Sequence, residues 1–320
     1  MQNRKHLKTS RIVAVSGILL ALLCVAVPRV HAAEGGGSHY TPGFYGDFGV
    51  AVAPEPGFYL RNDLYYYTAD ASGERVVQFG EIRAGLEVDA ALYMLTGLKA
   101  LDAEILGGRF AFGAFVPVVY TDLSADIALG EETASVADDR TLFGDPGFIP
   151  ASLFWTFGNF HVNASETITV PLGSYDVDED VNGGLNYWTF ETAVAGTYLH
   201  PEKGFEVSAT LGYLYNTEND DTDYQTGQEF HVEYMLNQFL SETFAVGVQG
   251  FYYKQITGDS GSGAVLGDFE GEATGIGPAL MWATKIRETD VVLSAKWLHE
   301  LDAEKRLEGD HVFLNATLVF

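Results

Sequence analysis

Cysteine and positive charge are what this sequence has least of: one Cys, and 18 Lys and Arg against 44 Asp and Glu. The cysteine, Cys24, lies in an N-terminal run expected to be removed, which excludes disulfides and thiol chemistry from the mature chain. The shortage of basic residues excludes nucleic acid as a partner, because a polyanion is held by a basic surface. Past residue 32 there is no uninterrupted apolar run of transmembrane-helix length, so a membrane could be crossed only by a closed barrel. Six histidines remain there (His39, His161, His200, His231, His299 and His311), none at a metal-ligand spacing to another. No metal and no cofactor is expected.

What is present begins with a compartment signal. Arg4, Lys5, Lys8 and Arg11 precede the run "IVAVSGILLALLCVAV", and Val30-His31-Ala32 supplies small residues for cleavage. This three-part form predicts a secretory signal over residues 1–32. Its removal takes five of the 18 basic residues and none of the 44 acidic ones, leaving a net charge near −31. Residues 33–56 follow, with Gly35, Gly36, Gly37, Gly43, Gly46 and Gly49 interleaved with His39, Tyr40, Phe44, Tyr45 and Phe48. Such a segment is too short to be a domain. Two readings stay open for it: a plug folded into a barrel from the periplasmic side, or a tether.

From residue 57 to 320 one unit repeats, an alternating segment and then a connection. In "FEVSATLGYLYN", Phe205, Val207, Ala209, Leu211, Tyr213 and Tyr215 share one face; Glu206, Ser208, Thr210, Gly212, Leu214 and Asn216 share the other. About twelve such segments are predicted, near 57–68, 83–97, 109–123, 143–158, 160–175, 185–199, 204–217, 228–240, 243–256, 269–284, 289–300 and 310–320. Alternation alone does not say which face is inside. The connections do. "FGNF", "HPEKG", "LSET" and "KIRET" are short, whereas "SADIALGEETASVADDR", "YDVDEDVNGG", "NTENDDTDYQTG", "TGDSGSGAVLGDFEG" and "HELDAEKRLEGD" are long and mostly acidic. Short periplasmic turns alternating with long extracellular loops predict an all-β transmembrane antiparallel barrel in the outer membrane of a Gram-negative bacterium. Tyr65, Tyr66, Tyr67, Tyr187, Trp188, Trp282 and Trp297 crowd segment ends, where an interfacial girdle belongs. The chain's last stretch, "HVFLNATLVF", has one wholly apolar alternate face ending on Phe320, the form of a C-terminal strand read by barrel-insertion machinery.

Some residues resist this pattern. Glu166 is in phase with Val162, Ala164, Ile168 and Val170, which aims a carboxylate at lipid and predicts a nearby bulge or an interfacial depth. Pro117, Pro171 and Pro278 each fall in a predicted strand and remove a ladder donor. "GDSGSG" at 258–263 is similar to the surroundings of a trypsin-like nucleophile, but Ser260 has no histidine close in sequence to serve as a base. "DVDEDVNG" starts like a calcium loop with Asp176, Asp178 and Asp180, then has Val181 where Gly is needed and Tyr187 where Glu is needed. By strand phase, Arg61, Asp63, Glu87, Asp89, Glu191, Glu206, His231, Glu233, Lys296, Glu300 and His311 are expected to face the lumen. Tyr59, Tyr65, Tyr67, Tyr93, Phe115 and Tyr187 are the candidate lumen aromatics. Such charges either line an aqueous path or brace a closed interior, and the sequence leaves both open.

Whole stretches are also familiar. "GGGSHYTPGFYGDFG", "PGFYLRNDLYYYTAD", "GNFHV", "PLGSYD", "LNYWTFE", "GYLYNTENDDTDYQTGQEFH", "TGDSGSG", "GIGP" and "KWLHELDAEKRLEGD" resemble bacterial outer-membrane proteins of the meta-pathway of phenol degradation. The resemblance runs from about residue 35 nearly to the C-terminus. It implies an outer-membrane barrel regarded as a transporter, associated in some members with breakdown of aromatic compounds. It carries over no binding residue, and none of its stretches is catalytic in type, so no enzyme is expected. The expected function is a channel for small aromatic or hydrophobic solutes. A closed structural barrel, its acidic loops bridged to lipopolysaccharide by divalent cations, is the alternative. A barrel hydrolase using Ser260 or His231 is a third. Membrane lipid and lipopolysaccharide are the expected partners in either of the first two readings.

Overall fold

A computed structural model describes residues 38–70, 82–129, 132–179, 181–264 and 270–320. The predicted signal at 1–32 lies outside the described residues. Thirteen strands form among those described: β1 (Gly57–Asp70), β2 (Ile82–Ile105), β3 (Gly108–Leu129), β4 (Glu132–Phe143), β5 (Gly147–Phe157), β6 (Phe160–Thr169), β7 (Thr189–His200), β8 (Phe205–Asn216), β9 (Glu229–Phe239), β10 (Phe244–Gln255), β11 (Glu272–Ile286), β12 (Thr289–Glu304) and β13 (Glu308–Val319). Every one but β4 joins a closed antiparallel ring of twelve, in which β13 returns to β1 with register from Tyr59–Val319 to Asp70–Glu308. The terminal residue takes part. Phe320 and Phe58 exchange backbone hydrogen bonds of 2.9 Å in both directions, and their rings lie 6.4 Å apart.

The alternation resolves with its polar face inward. In β8, Glu206, Ser208, Thr210 and Asn216 are buried while Phe205, Val207, Leu211, Tyr213 and Tyr215 are exposed. A water-soluble barrel would have the reverse, since apolar side chains leave water for the core. A lipid-facing wall requires what is seen here. The outer face carries Phe58, Trp282, Phe244 and Phe160 toward the short-turn end and Tyr66, Trp188, Tyr215 and Trp297 toward the long-loop end, all exposed. Tyr65, Tyr67 and Tyr187 do not join that girdle. They point inward, Tyr187 fully buried.

Several predicted connections are strand. β2 continues through "LTGLKALDAEI", and only Leu106-Gly107 turns it into β3; both residues have positive φ. "HELDAEKRLEGD" is likewise a hairpin, turned at 305–307. The acidic stretch 124–140 largely extends β3 upward and comes back as β4, which pairs with the upper half of β3 while β5 pairs with its lower half. β4 and β5 are thus one strand interrupted at Gly144-Asp145-Pro146. Pro117 of β3 faces that interruption, where Gly144 donates to its carbonyl at 3.0 Å, so its missing N–H leaves no ladder position unfilled. Pro171 falls outside any strand because β6 ends at Thr169.

Two irregularities serve packing. The β11–β12 ladder skips Gly277 and Pro278, and a Cβ at Gly277 would sit 1.8 Å from the Trp297 carbonyl, so only glycine allows that approach. Glu166 does face outward. The β5–β6 register shifts directly opposite it, between Phe148 and Ala151, and the Thr192 hydroxyl donates to its carboxylate at 2.6 Å.

Candidate functional site: a segment threaded through the lumen

Residues 38–56 belong to no strand; all but the exposed Glu55 and Pro56 are buried or half-buried, packed against inward-facing side chains of the ring. They run from Gly57, at the short-turn end, up to Ser38 beside Glu229 and His39 beside Thr189, at the long-loop end. Glycine is what lets this segment pass. Gly43 has φ +89°, and a Cβ at Gly46 would meet the Glu233 carboxylate at 2.8 Å.

Side chains of the wall hold it. The Gly49 amide donates to Glu206 at 3.0 Å, and the Ala51 amide to the Thr197 hydroxyl at 3.2 Å. Arg61 bridges Asp47 of the segment at 2.8 Å and its own neighbour Asp63 at 2.7 Å. The Lys296 ammonium donates to the carbonyls of Gly43 and Gly46 and lies 4.6 Å over the Phe313 ring. Higher up, the Tyr45 hydroxyl donates to Glu191 at 2.5 Å, and Glu191 is also 2.9 Å from His231 Nε2. Glu233 takes the Tyr45 amide at 3.0 Å and the Tyr40 hydroxyl at 3.1 Å. The hydroxyls of Tyr40 and Tyr45 both act as donors to carboxylates. Each of these contacts to a charged group is worth about 1.5–3 kcal/mol. They are separate side-chain contacts and not a ladder.

His39 reaches the interruption in the wall. His39 Nε2 lies 3.0 Å from the Asp145 carboxylate, which also accepts the amides of Gly173 at 2.7 Å and Leu185 at 2.6 Å. Asp145 thereby ties together the segment, the β4–β5 break and the loop after β6. Beyond it, the loops around Tyr224 and Asp259 pack against each other. Asp259 accepts the Tyr224 hydroxyl at 2.5 Å and the Gly227 amide at 2.9 Å, and Gln225 and Ser260 bond backbone to backbone. Ser260 is therefore part of loop-to-loop packing, while His231 is occupied by Glu191 inside the ring. The acidic loop at 176 closes on itself, with Asn182 accepting the Asp176 amide and Asp176 the Asp178 amide; Asp180 lies outside the described residues.

Of the residues the strand phase assigned to the lumen, Asp63, Glu191, Glu206, His231, Glu233, Lys296, Glu300 and His311 are buried inside, and Arg61 joins them through its two ion pairs. Tyr65 bonds His311 at 2.8 Å, Tyr67 bonds Glu300 at 3.3 Å, and Phe115 packs against Gly147. Tyr59 sits at the short-turn mouth, its hydroxyl on the Glu55 carbonyl at 2.8 Å. Tyr187 is inside but in a loop, not on a strand. Asp89 and Tyr93 are corrections. β1 turns its odd positions inward, so the register turns the even positions of β2 inward and puts Asp89 and Tyr93 on the outer face. There Tyr66 donates to Asp89 at 2.7 Å, and Tyr93 to Asn62 at 2.9 Å. Glu87 is opposite Asp70, and its side chain lies outside the described residues. Glu229, which binds Ser38, Asn216 and Tyr253, was not singled out in the sequence, although its strand phase with His231 and Glu233 would have found it.

A family model described as "Putative MetA-pathway of phenol degradation" matches residues 68–316. The fold is also that of an outer-membrane channel from Pseudomonas putida F1, with a TM-score of 0.65 and 16% identity over 86% of this chain and 99% of that one. A Pseudomonas aeruginosa FadL homologue aligns with a TM-score of 0.42 and 8% identity, over 90% of this chain and 95% of that one. None of the curated proteins compared matches the chain.

Proposed function

This chain belongs to the MetA-pathway phenol-degradation family, and from that premise we propose that it is an outer-membrane channel for small aromatic or otherwise hydrophobic molecules, gated by its own N-terminal segment. The observation that carries this reading is how residues 38–56 are held. They run along the lumen, yet their hold is side-chain hydrogen bonds and ion pairs, with no strand pairing to the wall among the described residues. A brace meant to be permanent would gain from ladder pairing, as the twelve strands do. Withdrawal would leave a lumen with both charged groups and aromatic faces, among them Phe251, Tyr253 and Phe313. An uncharged aromatic ring gains about 0.5–1.5 kcal/mol per such face, enough to be drawn in and little enough to be released.

Phe320 closing β13 onto β1 fits a strand handed to the insertion machinery of a Gram-negative outer membrane. The test is uptake of labelled phenol at limiting supply by cells with and without the protein. Cells lacking it should take phenol up several-fold more slowly, and equal rates would end the channel reading.

A further inference from the structure

The Tyr40 side chain is a phenol, and the wall holds it as it would hold a free one. Its ring stacks on two neighbouring rings of the wall, His231 at 4.1 Å between centroids and 17° between planes and Tyr253 at 5.5 Å and 9°, and on Tyr45 of its own segment at 6.5 Å and 18°. At the end of the slot, its hydroxyl donates to Glu233 Oε1 at 3.1 Å. Leu214 and Phe251 complete the buried apolar surroundings. The wall itself is shaped for this. Gly212 stands opposite His231 in the β8–β9 ladder, and a Cβ there would lie 1.8 Å from His231 Nε2, so glycine is what leaves room for the imidazole. Glu191 then fixes that ring through Nε2 at 2.9 Å. His231, Tyr253 and Glu233 all belong to barrel strands and do not leave with the segment.

We propose that the slot formed by His231, Tyr253 and Glu233 is a binding site for a free hydroxyarene, phenol being the simplest, and that Tyr40 occupies it as a tethered competitor. The inference rests on the channel reading for its purpose and deepens it by naming the solute's chemistry: a flat ring for the two stacking faces, and one hydroxyl donor for the carboxylate. A ring without the hydroxyl would leave Glu233 without that donor inside the barrel, so the site discriminates by a hydrogen bond to a charged acceptor. Competition between solute and Tyr40 would couple arrival of the solute to release of the segment.

The experiment uses the full mature chain refolded in lipid vesicles, with Tyr40→Ala to vacate the slot, and reads the urea midpoint of unfolding. Phenol should raise the midpoint of Tyr40→Ala and leave that of the wild type, whose slot is filled, unchanged. Anisole has the same ring with its hydroxyl methylated, and about tenfold more of it should be needed for the same shift. Adding Glu233→Leu should make the two solutes equivalent. No shift by phenol in Tyr40→Ala, an equal shift in the wild type, or anisole matching phenol in Tyr40→Ala would each overturn the proposal. Should the double variant fail to fold, the phenol and anisole comparison on Tyr40→Ala alone decides. A chain that binds phenol in this way but passes no current would overturn the channel reading and leave the slot standing.

Discussion

Deleting residues 38–50 should raise the single-channel conductance of the refolded barrel by roughly tenfold, because a twelve-stranded ring without its filling has room for a continuous water column. The barrel should still form. None of the deleted residues pairs with a strand, and the ring closes through β13 and β1 alone. The wall groups that lose partners are charged or polar: Lys296, Arg61, Glu206, Glu191 and Glu233. Water entering the lumen would solvate them, so the usual penalty for an orphaned buried charge is avoided. The change is read in planar bilayers, with heat-modifiable electrophoretic mobility as the check on folding. Unchanged conductance in a folded variant would mean that the outer loops, not this segment, close the path.

The second large effect concerns the wall's outer face. Leu211 stands midway along β8, flanked on the ladder by Val194 and Val232, and is about half exposed with nothing but lipid to meet. Leu211→Arg should destabilise the barrel by about 2–4 kcal/mol, the cost of a guanidinium near the midplane of a membrane barrel. Glu202→Arg, in the exposed turn between β7 and β8, should change stability by less than about 0.5 kcal/mol. Urea unfolding in vesicles measures both. Equal effects at the two positions would place Leu211 in water and undo the inside-out assignment.

Most of the barrel was legible because its signals are local. Alternation fixed β8, β9 and β10 to within a residue, at Phe205–Asn216, Glu229–Phe239 and Phe244–Gln255, whereas β11 begins later than predicted, at Glu272, and β12 runs on to Glu304. Turn length then fixed which end was which. Register is not a local signal, and there the reading failed. The inward parity of β2 depends on its pairing with β1, not on its own composition. Phase along β2 taken alone assigned Asp89 and Tyr93 to the lumen, whereas pairing with β1 turns them outward, where Asp89 accepts the Tyr66 hydroxyl. Acidic stretches read as loops for a similar reason. β2, β3 and β4 run on past the girdle, where a strand has water on both faces and no longer needs an apolar side.

The site was half visible. Strand phase found Glu191, His231 and Glu233, and the Gly-rich segment left two readings, plug or tether, of which the structure has the lumenal one. Which wall residue meets Tyr40 depends on how a segment without strand pairing threads a ring, and no periodicity records that. The interruption at Gly144-Asp145-Pro146 was equally hidden, because β4 and β5 read as a loop and a strand until β3 is seen to pair with both.

The account turns on whether the full chain is a conduit that its own segment closes and a phenol can release. Planar-bilayer recording of the refolded, heat-modifiable mature chain, with phenol titrated from zero, tests this directly. The expected record is rare, brief openings without phenol and openings several-fold more frequent with it, as the solute competes for the place of Tyr40. Silence at every phenol concentration from folded protein would contradict the account and leave a closed barrel in its place.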